Sequence, residues 1–326
     1  MILPDFSDVE AAAQRIASKT VRTPVLRSDA LDEAVGANVF IKPECLQTTG
    51  SFKLRGATNR IEALAAGEAP GGVVAFSSGN HAQGVSRAAK RAGLPALIVM
   101  PGDAPAIKVE GVRADGAEIR FYDRLTESRE EIAADIAAER QAVLVPSYDD
   151  PHIIAGQGTA GLEFIEDLKA AGIGPLDHYV SCAGGGGLLA GAALAFSERS
   201  PHTKLWSAEP ADYNDHQRSF DAGERIAIDA TPPSICDAVL TPIPGELTFA
   251  INQPRVSGGF AVNEDEVREA VRFAFRHLKL VVEPGGAVAL AAVLKRCPAS
   301  FKGRNIGIIL SGGNVDAKVF SEIVSA

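Results

Sequence analysis

The sequence predicts an α/β fold, and three observations carry that prediction. Runs rich in Val and Ile alternate with helical patterns through most of the chain, as expected of strands joined by helical crossovers into parallel sheets. Gly or Pro stands at most of the helix ends. The chain has 326 residues, which at roughly 150 residues per domain suggests two domains.

Taken in order, strands are expected at 73–76, 96–100, 119–122, 142–145, 179–182, 204–207 and 306–310, and helices at 82–92, 127–138, 159–170, 264–278 and 287–296. No fixed-period repeat, low-complexity tract or Pro-rich linker divides the chain. The unit from about 71 to 147 holds four of the strands with helices between them, so it reads as a compact module inserted into a larger one. The expected division is a large domain from 1–66 and 149–326 and a small domain from 70–148. A chain that leaves and re-enters a domain makes a cleft between two rigid bodies, and the carboxyl ends of parallel strands are where α/β proteins bind ligands.

Composition excludes several classes. Hydrophobic residues make up 46%, charged residues 22% and aromatic residues 6%, which is ordinary for a globular chain. With 32 Lys and Arg against 41 Asp and Glu the formal charge is −9, and no basic stripe is present to displace phosphate counterions, so nucleic acid is not an expected partner. Cys45, Cys182, Cys236 and Cys297 are scattered without a CxxC pair, which suits a reducing cytoplasm and neither a zinc knuckle nor a disulfide framework. The N-terminus lacks the basic and apolar regions of a secretory signal. The stretch 178–197 carries no charge over about the length of a membrane span, yet four consecutive glycines interrupt it, so a strand, a glycine loop and a buried helix are expected there and no membrane association.

Four segments place Gly, Ser, Asn or Lys where a strand should end. In CAGGGGLLAG, Gly184, Gly185, Gly186 and Gly187 follow a strand and open a helix, where backbone N–H groups can meet a phosphate. A dinucleotide reading competes: Gly184, Gly186 and Gly191 approximate a glycine fingerprint, and Glu209 lies where a ribose-binding acid belongs. Glycines that serve only close packing are the third reading. In TTGSFKLRGA, Lys53 is flanked by Phe52 and Leu54; solvated it is an ordinary surface lysine, whereas desolvation would lower its pKa and make it a nucleophile and base. SSGNHAQG, Ser77 to Gly84, offers hydroxyls, an amide and a helix start to a carboxylate or phenolate oxygen, with His81 either a ligand-facing donor or a structural residue. LSGGNVD puts Ser311 at the end of the last strand, beside two glycines that let a flat group approach the backbone.

In that order, SFKLRG with Lys53, SSGNH with Asn80, the glycines 184–187, EPGGAVAL from Glu283 and SGGN with Ser311 resemble the pyridoxal-phosphate enzymes of the tryptophan-synthase β fold type. Within them the chain resembles the threonine/serine dehydratase and serine racemase family, from about Thr23 onward. The resemblance implies fold type II: two domains, each with a mostly parallel sheet flanked by helices, and the cofactor, pyridoxal 5'-phosphate, in the cleft between the larger cofactor-binding domain and the smaller substrate-side one. It implies that Lys53 holds the cofactor through an imine, Phe52 packs on a ring face, Asn80 bonds the ring phenolate oxygen, Gly184 to Gly187 hold the phosphate and Ser311 meets the pyridine nitrogen, with Glu283 in the same set. Ser77, Asn80 and His81 would lie beside the substrate carboxylate. A neutral Ser311 leaves the pyridine nitrogen unprotonated, which weakens the electron sink and favours rapid elimination.

The same resemblance implies further positions. Ser78 matches the base that in serine racemase faces the lysine from the opposite side. Glu209, Asp215 and the carbonyl of Tyr213 match a divalent-cation site suited to Mg²⁺ or Ca²⁺, a solvated acidic loop being the alternative. Asp237 and Thr241 would lie near the substrate's β-substituent, and Arg129 would reach substrate or else pair with Glu130. The expected activity is an ammonia-lyase converting L-threonine or L-serine to 2-oxobutanoate or pyruvate with release of ammonia; serine racemase, 3-hydroxyaspartate dehydratase and, more remotely, an NAD-dependent oxidoreductase are the alternatives. A β-carboxylate needs its own cation, and His81 and Arg129 are the candidates in the sequence, so neutral side chains are favoured. A homodimer is expected. The chain's stop at Ala326 leads to the expectation that it lacks the regulatory domain of the long threonine dehydratases and their feedback by isoleucine.

Overall fold

A computed structural model describes residues 2–104, 106–229 and 233–326. Among the described residues ten strands build two sheets: β1 Leu26–Arg27, β2 Asn38–Pro43, β3 Val73–Phe76, β4 Ala96–Pro101, β5 Glu118–Tyr122, β6 Val143–Leu144, β7 His178–Cys182, β8 Lys204–Pro210, β9 Val256–Val262 and β10 Asn305–Leu310. The six-stranded sheet runs β1-β2-β10-β7-β8-β9 and the four-stranded sheet β5-β4-β3-β6. Every pairing is parallel except the short β1, which lies antiparallel to β2. The segment holding β3 to β6 is contiguous, while the larger sheet draws strands from both sides of it.

Helices cover both faces of each sheet, so the central strands are apolar throughout. All five residues of β7 are buried. In the smaller sheet the side-chain period of two divides the core: Val73, Ala75, Ile98 and Met100 join one apolar cluster, whereas Val74, Leu97 and Val99 join another on the opposite face. The uncharged stretch 178–197 is β7, the glycine loop and most of the helix Gly187–Arg199. No helix among the described residues is long and apolar enough to cross a membrane.

Several expected elements shift. The strand at 142–145 shrinks to Val143–Leu144, and that at 204–207 extends to Pro210, taking in Glu209. The helix expected at 159–170 begins at Pro151, behind Asp150, whose carboxylate accepts the Ile153 N–H at 2.9 Å. The helix at 264–278 ends as a π turn over Ala274–Leu278, closed by Lys279 at φ 60°. Strand β2 escaped the sequence pattern because Lys42 interrupts its apolar run, and β9 because two glycines do.

Candidate active site

Because the strands of each sheet are parallel, their carboxyl ends face one cleft. Strand β10 ends there and hands the chain to Ser311, which is buried. The Ser311 carbonyl accepts the Phe52 N–H at 3.1 Å, and Ser51 bridges to Gly312, so two motifs some 260 residues apart are stitched side by side. Lys53 opens the helix Lys53–Glu62. Its Nζ donates to the Ser147 carbonyl at 2.7 Å and lies 5.2 Å from the centre of the Phe52 ring. No carboxylate among the described residues pairs with it. Burial draws the Lys53 amine down to about 8, with the Cys182 thiol pulling weakly the other way.

The glycine loop leaves β7 and opens the helix Gly187–Arg199. Gly186 takes φ 89°, a left-handed conformation that L side chains resist, and a Cβ there would meet the His216 ring at 2.6 Å. The loop carbonyls are bonded from behind: Gly184 accepts from His216 Nε2 at 2.8 Å, Gly185 from Thr248 Oγ1 at 2.7 Å and Gly186 from Asn252 Nδ2 at 3.4 Å. Among the described residues no hydrogen bond takes the N–H of Gly184, Gly185 or Gly186 as donor. Tyr148 lies against the loop, its ring where a Cβ on Gly185 would sit. Carbonyls tied back and N–H groups left over is the arrangement an anion requires.

The loop after β3 faces this from the smaller sheet. Ser77 Oγ accepts the Gly79 N–H at 3.1 Å, and Ser77 and Ser78 are half-buried. Asn80 Nδ2 donates to Glu283 Oε1 at 2.5 Å, while Asn80 Oδ1 accepts from Asn314 Nδ2 at 2.8 Å. Gly312 seals this contact: a Cβ there would come within 2.2 Å of Glu283 Oε1. His81 is bonded within the protein. Its Nε2 lies 2.9 Å from the Val145 carbonyl and so carries the hydrogen, and burial beside Lys53 pushes its pKa down to about 3. It is a neutral ring with an unbonded Nδ1, neither a cation nor a second donor.

Other expected residues meet different surroundings. Asp237 is bonded by Lys108 Nζ at 2.6 Å, and the same ammonium lies 3.6 Å from Glu283 Oε2. Thr241 lies by the glycine loop, 3.5 Å from a Cβ placed on Gly184. Arg129 stands at the rim, its guanidinium 5.4 Å from the Phe76 ring and its Nε 2.8 Å from Glu130, the outward pairing. Lys108, only 3% exposed, escaped sequence reasoning, as did Asn314, His216 and Tyr148. Nothing in AIKVEG separates a buried lysine from a solvated one.

Glu209 accepts the N–H groups of His216 and Gln217 at 2.8 and 2.9 Å. Asp215 is fully buried with neither oxygen bonded. Burial raises Asp215 to about 7, and burial with the neighbouring Asp215 raises Glu209 well above the carboxylate range. Among the described residues no three His, Cys, Asp or Glu side chains gather as a metal cage.

Comparison with known proteins decides the family. A family model described as pyridoxal-phosphate dependent enzyme matches residues 16–312. The chain belongs to the pyridoxal-phosphate dependent enzyme family. An L-threo-3-hydroxyaspartate ammonia-lyase of a Pseudomonas species is 46% identical over 99% of both chains. A serine racemase of Schizosaccharomyces pombe is 40% identical over 100% of this chain and 98% of that one. The crystal structure of a threonine deaminase from T.th. superposes with a TM-score of 0.89 at 44% identity, covering 96% of this chain and 99% of that one. Membership removes the dinucleotide alternative, and the site agrees: Gly191 serves helix packing, where a Cβ would strike the Ile154 carbonyl at 2.3 Å, and Glu209 is turned into its own loop.

Proposed function

We propose that the chain is a pyridoxal-phosphate ammonia-lyase of β-hydroxy amino acids, releasing a 2-oxo acid and ammonia. The observation that carries this reading is Lys53, a half-buried amine without a carboxylate partner among the described residues, drawn down to about 8 by desolvation within the cleft of Asn80, Ser311 and the glycine loop. The site fits the cofactor. Lys53 would attach it, the N–H groups of Gly184 to Gly187 would hold its phosphate, Asn80 retains one Nδ2 hydrogen for the phenolate oxygen, and Phe52, Glu283 and Ser311 complete the wall.

When bound, pyridoxal phosphate supplies an electron sink for negative charge at the substrate's Cα. The Lys53 amine removes the α-proton and holds it at Nζ, where the Ser147 carbonyl orients the group. The hydroxyls of Ser77 and Ser78 and the start of the helix Asn80–Ala92 receive the substrate carboxylate. Ser311, a neutral hydroxyl on a buried strand end, gives the pyridine nitrogen no acid, which suits elimination.

A relative named L-threo-3-hydroxyaspartate ammonia-lyase supports weighing that dicarboxylate with L-serine and L-threonine as a candidate substrate. The sequence offered His81 and Arg129 as the cations for a β-carboxylate; His81 is neutral, which leaves Arg129. Lys108 joins it in the structure, although Asp237 and Glu283 already match its charge. Racemisation through Ser78 is the second reading, favoured by the serine racemase relative. Asp215, buried with unbonded oxygens beside Glu209, supports a Mg²⁺ or Ca²⁺ ion that would also take the Tyr213 carbonyl. Cytoplasmic location and a homodimer are carried forward as part of the proposal.

Borohydride reduction of the holoenzyme should leave a pyridoxyl group on Lys53. 2-Oxo acid release from L-threo-3-hydroxyaspartate, L-serine and L-threonine then ranks the substrates, and D-serine exceeding pyruvate from L-serine would make racemisation the main activity. A protein that binds no cofactor, or releases no 2-oxo acid from any of the three, overturns the proposal.

A further inference from the structure

We infer that Lys108 is a positioning residue for the cofactor-facing amide of Asn80, acting through Glu283. The inference rests on the reading of Asn80 as donor to the cofactor's phenolate oxygen. Lys108 comes from the helix Ala106–Ala114, on the smaller sheet's side, and its Nζ sits 3.2 Å from where a Cβ on Gly79 would be, directly behind the Asn80 loop. There it meets Asp237 and Glu283 of the other body at 2.6 and 3.6 Å.

From Glu283 the chain of contacts continues to Asn80 and then to Asn314. Asn314 Nδ2 donates to the Thr49 carbonyl at 2.8 Å and to Asn80 Oδ1 at 2.8 Å, so both of its hydrogens are used. Asn80 therefore has its carbonyl held by a donor and its amino group held by Glu283. A flipped amide would set carbonyl against carboxylate and N–H against N–H. Only one Nδ2 hydrogen of Asn80 is left, and the network determines where it points.

The Glu283 half of this selection works only while Glu283 is an acceptor. A protonated Glu283 can donate to Asn80 Oδ1, which removes one of the two contacts that exclude the flipped amide and leaves the orientation to Asn314 alone. Burial pushes Glu283 up to about 7, and Lys108 is the charge that opposes it. Among the described residues, Asp237 and the thiols of Cys45, Cys182 and Cys236 also interact with Glu283, and these four are not cationic. Burial also works against the charge of Lys108, but Glu283 and Asp237 outweigh it and keep the ammonium protonated.

The test is the visible absorbance of the holoenzyme followed against pH, a signal set by hydrogen bonding at the phenolate. In Lys108→Met, Glu283 loses an opposite charge of the kind that moves a carboxyl by about 1–3 pH units. The ratio of long- to short-wavelength bands should then titrate across neutral pH with a midpoint displaced upward by that amount from any wild-type transition. Lys108→Arg should restore the wild-type profile. Glu283→Gln should give an altered band ratio that does not change with pH, and adding Lys108→Met to it should have no further spectral effect. A Lys108→Met protein that melts earlier but keeps the wild-type spectrum at every pH would show a mere staple between the two bodies and overturn the inference, as would an unaltered spectrum in Glu283→Gln should Lys108→Met fail to fold. A wild-type protein with no visible band would instead remove the cofactor reading itself.

Discussion

Lys53, half-buried, and Arg55, fully buried, are cations two residues apart on one helix, and their surroundings are opposite. Arg55 is wholly enclosed and fully matched: Nε and Nη2 meet Glu44 at 2.8 and 2.9 Å, and Nη1 and Nη2 meet Glu163, each at 2.8 Å. Burial works against its charge, but these carboxylates outweigh burial and hold the guanidinium above its ordinary pKa. Burial alone would raise Glu44, yet Arg55 outweighs it and keeps that acid below the usual range. Lys53 reaches into the cleft instead, bonded to one carbonyl and drawn down to about 8. A buried charge with its partners supplied holds segments together, whereas one left without them is an amine ready to react.

Replacing the two cations by Met tests that contrast most directly. Lys53→Met should cut 2-oxo acid release by roughly 10²–10⁴-fold from loss of the base alone, and its cofactor-free form should melt at or above the wild-type temperature, because a partly desolvated amine without a carboxylate partner is gone. A marked fall in melting temperature would show that Lys53 is structural. Arg55→Met should do the reverse. It strands Glu44 and Glu163 and should cost about 3–5 kcal/mol in chemical denaturation, and a neutral result would mean the network contributes no net stability.

The acids of the loop after β8 extend the comparison to negative charge. Glu209 and Asp215 are a buried like-charged pair, and a cation would match them as Glu44 and Glu163 match Arg55. Mg²⁺ or Ca²⁺ at about a hundredfold excess over its dissociation constant should stabilise the protein by about 2.7 kcal/mol, and Asp215→Asn should abolish that response. Wild-type melting that is indifferent to both cations and to chelator removes the cation from the proposal.

Much of the fold was legible in the chain. Buried parallel strands read as short Val- and Ile-rich runs, and β3, β4, β7 and β10 follow that pattern closely. The strands that escaped carry a residue whose environment is set elsewhere: Lys42 in β2 is fully buried because the Thr23 carbonyl and Glu163 accept its ammonium at 2.7 and 3.0 Å. At the site, Asn80, the glycine loop and Ser311 follow the ends of β3, β7 and β10, and Lys53 stands beside Ser311 through the Phe52–Ser311 bond. At His81 the surroundings decide whether the imidazole is charged: burial and the neighbouring Lys53 leave it neutral, although the Val145 carbonyl favours the charged form.

The amino-acid sequence by itself determined the local geometry around the chemistry: where strands end, where glycine permits φ 89° at Gly186, where a hydroxyl, an amide or an amine stands at a helix start. These depend on neighbours within a few residues. Only the tertiary structure decided which charges are partnered. Asn80 meets Glu283 across 203 positions and Lys108 meets Asp237 across 129. Desolvation and charge pairing belong to the space around a side chain, and that space is assembled from segments distant in the chain, so the same residue type can yield a reactive amine at Lys53, an ion-paired support at Lys42 and a bridge at Lys108.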